Sequence, residues 1–411
     1  MAEINDYLPE PVSHKLNISG QLRYRLELRD NFDFDDSADD NQDIHLLRTR
    51  INVDYAPYNS LHTFVQLQDS RILESEFPFT PASEDRIAVR QAYVDMMDTS
   101  AGWTLRLGRQ ELSYGDQRLL GGFNWSNLAY NFDALKLFYE AKTYTIDAFA
   151  AKRVLSDDNN FNRWDKDDTL YGLWAKYTAI DRHNLDFYYF LRDINKDINF
   201  GHAGSSEMTE STIGFRIKGS NLNGFDYLIQ YARQFGDFGS LDIKAYAIIG
   251  ILGYSVDHGL KPRVSLEWDF ASGDKSSSDG ERNTFDNLWP TNHLHYGYMD
   301  RASLQNLNNY RFNFSLKPAN KLYLQADFHI INLDETSDAY YNVARKAVRT
   351  AANPDVDTRI GSDIDFMLKY RLRKNIQILS GYSHFGAGKF LKETGADDDA
   401  DFFYLQTTFN F

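Results

Sequence analysis

Cysteine is absent from all 411 residues, which suits a chain that crosses an oxidising compartment unfolded, where stray thiols would mispair. Long apolar runs are missing too. No stretch approaches the roughly 18 apolar residues of a membrane helix, so helical anchoring is excluded. Helix-period patterning is nearly absent, and proline is sparse at 9 residues. No secretory leader is visible in the opening MAEINDYLPEPV, where Met1 reads as an added start before a mature N-terminus. Basic surplus is also lacking: Lys and Arg number 44 against 59 Asp and Glu, a net charge of −15. That balance speaks against a general binder of nucleic acid or anionic membrane surfaces.

Aromatic residues are abundant, at 15% with 29 Phe and 26 Tyr, and they sit in a period of two that runs from end to end. In the first segment Leu16, Ile18, Leu22, Tyr24, Leu26 and Leu28 alternate with Lys15, Asn17, Gln21, Arg23, Arg25 and Glu27. About seventeen further segments repeat the pattern, from 45–56 to 402–411, each near the 9–11 residues that cross a bilayer as a tilted strand. Short turn-like links such as Asn221-Leu222-Asn223-Gly224 and Asp257-His258-Gly259 alternate with long acidic ones such as 29–44, 112–130, 194–208 and 271–307. The expected fold is therefore all-β: a transmembrane antiparallel up-and-down barrel of about 18 strands. Its long loops are extracellular and its short turns periplasmic. A single barrel domain over 14–411 follows a periplasmic segment, 1–13. The last strand ends on Phe411, an ending that bacterial outer-membrane proteins resemble, and the expected location is the bacterial outer membrane.

So many strands enclose a lumen too wide for side chains to fill, so water and polar residues are expected inside and apolar residues against lipid. Tyr55, Tyr93, Trp103, Tyr144, Tyr177 and Trp268 then read as interfacial girdles. The polar parity places Arg23, Arg25, Arg48, Arg50, Arg90, Arg106, Lys136, Arg216, Arg263, Arg311 and Lys369 in the lining, while many carboxylates fall in loops. Arginine suits carboxylate ligands because its planar fork engages both oxygens and keeps its charge. Asp54, Asp133, Asp147, Asp226, Glu267, Asp269, Asp327 and Asp365 also read inward, which fits an ordinary porin wall with a transverse field.

The run from Leu105 to Gly121, LRLGRQELSYGDQRLLG, followed by Asn124-Trp125-Ser126 and by Asn131-Phe132-Asp133-Ala134-Leu135-Lys136-Leu137, resembles the alginate-export porin family. The resemblance implies an eighteen-stranded monomeric barrel whose cationic constriction selects anionic uronate polymer. By position it makes Arg23, Arg50, Arg109 and Lys136 constriction cations, and it gives Arg118 and Asp116 a route into the lumen from the intervening loop. A passive pore has no direction of its own, so uptake of released oligosaccharide fits as well as export.

The ten histidines show no metal-ligand spacing, and His293 and His295 read as solvated loop residues. Asp-rich loops, including Asp33, Asp35, Asp36, Asp39 and Asp40, offer Ca²⁺ hard oxygens but no Gly-centred EF-hand loop. No other cofactor is expected. Ser383 and His384 are adjacent and so face opposite sides of a strand, and no enzyme is indicated. The expected partners are an anionic oligosaccharide or polysaccharide, outer-membrane lipid and lipopolysaccharide, with no nucleic acid. The alternative is a general or differently selective porin for other small solutes.

Overall fold

The structure, a computed structural model, describes residues 15–37, 41–75, 83–157 and 160–411. The segment 1–13 and the loop residues Asp39, Asp40 and Asp158 lie outside the described residues. The first barrel strands are β1 (Leu16–Asp30), β2 (Gln42–Tyr58), β3 (Leu61–Ser75), β4 (Asp85–Asp98), β5 (Trp103–Gln110) and β6 (Phe132–Glu140). Next come β7 (Tyr144–Leu155), β8 (Asp168–Tyr177), β9 (His183–Asn199), β10 (Ser205–Leu222), β11 (Phe225–Phe238) and β12 (Leu241–Ser255). The last are β13 (Arg263–Ala271), β14 (Leu307–Ala319), β15 (Leu322–Asn332), β16 (Arg359–Arg373), β17 (Ile376–Ala387) and β18 (Ala400–Asn410).

Among the described residues these eighteen strands pair antiparallel, each with its chain neighbours, and β1 closes on β18 in a register running from Gln21↔Asn410 to Asp30↔Asp401. Closure leaves no free edge, so backbone N–H and C=O groups are paired within the wall. One end carries the tight turns. At Leu222↔Phe225 the two linking residues Asn223 and Gly224 have φ of 54° and 91°, the positive values that a two-residue hairpin matched to strand twist demands. The link expected as a loop over 194–208 is mostly strand, because β9 and β10 continue pairing past a bulge at Ile194/Ile198.

The outer face is apolar. Leu107, Phe187, Ile213, Leu266 and Phe366 are each at least half exposed, and Tyr55, Trp103, Tyr144, Tyr177 and Trp268 are exposed as well. Tyr93 differs from the girdle expectation: it faces inward beneath the Arg106 guanidinium, 3.9 Å from its ring centroid.

The lumen departs most from expectation. It is not simply water-filled and polar: at the loop end, inward Phe149, Trp174, Phe190, Ile249, Phe385 and Tyr404 pack with loop residues into one apolar cluster. Leu119, Leu120, Phe285, Leu288 and Trp289 come from the β5–β6 and β13–β14 connections. Long links thus fold into the barrel, where burying their apolar side chains stabilises them at roughly 25 cal/mol per Å².

Gly108 sits inside β5 with φ of +127°, and a Cβ there would lie 2.2 Å from the Ala92 carbonyl oxygen and 2.9 Å from the Tyr93 Cα. The obstruction is backbone, which cannot rotate away. Gly108→Val should therefore lower stability by about 1–3 kcal/mol, read as a lower temperature at which the folded, fast-migrating band is lost on electrophoresis.

Candidate functional site

Five arginines on adjacent walls converge on the loop between β5 and β6. Arg23 Nη1 donates to the carbonyls of Asn124 and Trp125 at 2.8 and 3.1 Å, and Arg25 Nη1 donates to Trp125 O at 2.7 Å. Arg48 Nη1 reaches Asn124 O and Ser126 O, each at 3.0 Å. Arg50 and Arg90 both donate to the Asn124 Oδ1, at 2.9 and 3.2 Å. The period of two aims these side chains inward from β1, β2 and β4. Buried loop carbonyls need donors, and guanidinium forks supply several from one side chain.

The charge around this bracket is unbalanced. Arg25 pairs with Glu27 at 2.7 Å and Arg90 with Glu111 at 2.5 Å. Among the described residues, Arg23, Arg48 and Arg50 have no carboxylate at ion-pair distance; their partners are carbonyl and amide oxygens. Trp125 is clamped on both faces, with the Arg25 guanidinium 3.8 Å from its centroid and His293 stacked at 3.9 Å.

The same loop is tied to the far wall. Arg118, 1% exposed, donates to Asp269 at 3.0 Å and to Glu267 on β13, and to the Tyr296 hydroxyl at 3.0 Å. Backbone bonds join the two loops, Gly121 N to Trp289 O and Trp289 N to Leu119 O, each at 2.9 Å. His295 Nε2 lies 2.8 Å from the Asp116 carbonyl oxygen. Burial, and then the Arg118 charge, push the His295 imidazole down to about 3. Burial pushes the Asp116 carboxyl up, but Arg216 at 2.7 Å and then Lys218 outweigh it and hold it below the usual range. His293 and His295 are thus packed inside the barrel and not solvated, because their loop folds inward.

Most other lining cations are neutralised. Arg106 meets Asp95 through 2.7 and 2.8 Å bonds, Lys136 meets Asp147 at 2.5 Å, and Arg216 meets Asp186 at 2.7 Å. Arg263 meets Asp226 at 2.6 Å, and Arg311 meets Asp327 at 2.8 Å and Glu267 at 3.4 Å. Lys369 lies near the turn end, lining a recess.

Arg109 and Asp133 are corrections to the expected lining. They pair with each other at 2.8 Å on the outer face, beside Leu107 and Leu135. The reason is arithmetic: Arg106 and Arg109, like Asp133 and Lys136, are three residues apart, and odd separations in a regular strand fall on opposite faces. Sequence reasoning missed Glu27, Glu111, Asn124, Trp125 and His293 as site residues. Asn124 and Trp125 carried a signal, lying inside the quoted motif; His293 carried none. Among the described residues no group of three or more His, Asp or Glu is arranged to hold a metal.

Two outcomes follow. Arg118→Met leaves Glu267 and Asp269 buried without their shared cation, a change that costs about 3–5 kcal/mol; single-channel recording should show a looser interior with larger, noisier conductance. His295 is neutral in the folded state with its affinity for protons depressed. Its contribution is therefore complete above its ordinary value of about 6.5 and is lost as pH falls towards 3, by about 1.4 kcal/mol per unit. Gating fluctuations should grow from pH 7 to pH 5, and His295→Gln should flatten that slope.

The fold matches solved porins of Pseudomonas aeruginosa. OpdK with vanillate aligns at TM-score 0.66 and 11% identity, over 97% of this chain and 99% of that one. OpdO aligns at 0.66 and 12%, over 97% of each, and the outer membrane protein OprD at 0.65 and 9%, over 96% and 94%. No curated protein sequence matches. The family model described as alginate export matches residues 14–404. With its closed porin-type barrel of bacterial outer-membrane kind, the chain belongs to the alginate export family.

Proposed function

We propose that the protein is a passive outer-membrane channel for anionic oligosaccharide of the uronate type, whose passage is governed by the arginine bracket on β1, β2 and β4. The observation that carries this reading is the local surplus of charge: Arg23, Arg25, Arg48, Arg50 and Arg90 surround Asn124–Ser126, and among the described residues Glu27 and Glu111 are their only ion-pair partners. Fixed cations in a low-dielectric wall draw carboxylates, and arginine keeps its charge at every working pH. A sequence of weak sites lets a polyanion enter and still leave. The bracket holds the loop through carbonyl oxygens, which are also the ligand type that a uronate carboxylate would replace if the loop shifts. The alginate export family to which the chain belongs supports the same substrate class.

A second reading is a porin for other small solutes. It is favoured by acidic residues further round the same side of the ring, three to four strands from β1, where Asp327, Asp363 and Asp365 on β15 and β16 face inward, fully or nearly buried. Arginines and carboxylates on separate sectors of one wall set up a field along which polar solutes orient without selection by charge. OpdK, a porin of the same fold, is described with vanillate, a single carboxylate.

Single-channel recording in a salt gradient separates the two. The first reading expects anion selectivity and block by tri-galacturonate. Arg48→Gln with Arg50→Gln should weaken that block about tenfold, the effect of about 1.4 kcal/mol, while the folded band persists on electrophoresis. Cation selectivity, or indifference to the trimer, removes the uronate reading.

A further inference from the structure

Lys261, Lys317, Lys321, Lys369 and Arg371 line one recess of about 740 Å³ at the turn end of the barrel. They come from four neighbouring strands and their turns. Lys317 N donates to Leu260 O and Arg371 N to Lys321 O, both at 2.8 Å, so Lys261 beside Lys317 and Lys321 beside Arg371 are cross-strand neighbours. Lys369 lies opposite Tyr323, also in the lining. Lys369 and Arg371 share the parity of the inward Asp363 and Asp365, and Lys317 that of Arg311 and Asn313. The cluster therefore opens onto the lumen.

Among the described residues no carboxylate lines this recess and none of the five makes an ion pair. That contrasts with the wall above it, where Arg106, Lys136, Arg216, Arg263 and Arg311 each hold an acid. Like charges on adjacent strands repel, and in a chain with net charge −15 acidic partners were abundant. An uncompensated group of five here is a feature that folding does not require.

We propose that these five residues form a capture site at the periplasmic mouth for carboxylate-bearing oligomers, separate from the arginine bracket. The proposal rests on the channel reading but not on uronate as the transported species. Each exposed cation binds weakly and is screened by salt; several at strand spacing act together on a chain that carries one carboxylate per unit. The site raises the local concentration of such a chain at one mouth only, so it acts as an entry funnel for export or a last holding point in uptake.

The test compares the two faces of single channels. At about 0.05 M KCl, where the Debye length is over 10 Å, the wild type should rectify, and tri-galacturonate should block about tenfold faster from one chamber than from the other. Both asymmetries should vanish near 1 M KCl. Lys317→Gln, Lys369→Gln and Arg371→Gln together should abolish them at low salt by lowering the faster rate to the slower, whereas Arg48→Gln with Arg50→Gln should leave rectification in place. A triple variant that keeps the wild-type asymmetry, or a wild type with none at low salt, overturns the proposal. If block stays faster from one chamber and that asymmetry disappears in the triple variant, while Arg48→Gln with Arg50→Gln leaves the overall block unchanged, the capture site stands and the uronate reading of the bracket falls.

Discussion

The constraint on which everything else depends is the absence of water in the hydrocarbon layer. A backbone crossing it as strands must pair every N–H and C=O with another strand, and only a closed ring does that without an edge. Closure at eighteen strands then sets a lumen too wide for wall side chains to fill. The protein meets that width with loops, which enter the barrel and carry a second apolar core, from Leu119 and Leu120 to Phe285 and Trp289. A loop inside a barrel brings carbonyl groups that water would otherwise satisfy. Here arginines satisfy them, and so the cations gathered on β1 and β2 are also the residues that hold the folded loop.

This double use explains why the charge is distributed as it is. Around the middle of the wall, several cations that serve no carbonyl are neutralised by a nearby acid, as Asp95 does for Arg106 and Asp226 for Arg263. Arg25 holds both the loop and Glu27, whereas Arg23, Arg48 and Arg50, whose donors the loop and neighbouring amides take up, are left with oxygen acceptors that carry no net charge. Surplus positive charge at the bracket is thus a consequence of how the loop is anchored.

Much of this was legible in the sequence, because a period of two is a statement about a wall. Strand number, the closing strand over Ala400–Asn410 and the inward set Arg23, Arg25, Arg48 and Arg50 follow from alternation alone. The misplacement of Arg109 and Asp133 was avoidable, since the same alternation forbids them from sharing a face with Arg106 and Lys136. What alternation cannot express is where a loop goes. The polar composition of the β13–β14 link reads as solvated surface, yet Trp289, His293, His295 and Tyr296 are buried. Their partners lie on distant strands and loops, with Phe132 and Arg192 against Trp289 and Asp116 against His295, and no local pattern records such pairings.

The splice between Gly121, Trp289 and Leu119 has a mechanical consequence. Two loops rooted almost diametrically across the ring are welded at mid-span, so the strap they make is fixed at both banks and cannot swing open as a hinged flap. It must either slide sideways as one body, shearing the Trp125 sandwich, or part at the weld. Clearance in such a conduit comes in a discrete step, set by the strength of a joint and not by the stiffness of a free arm.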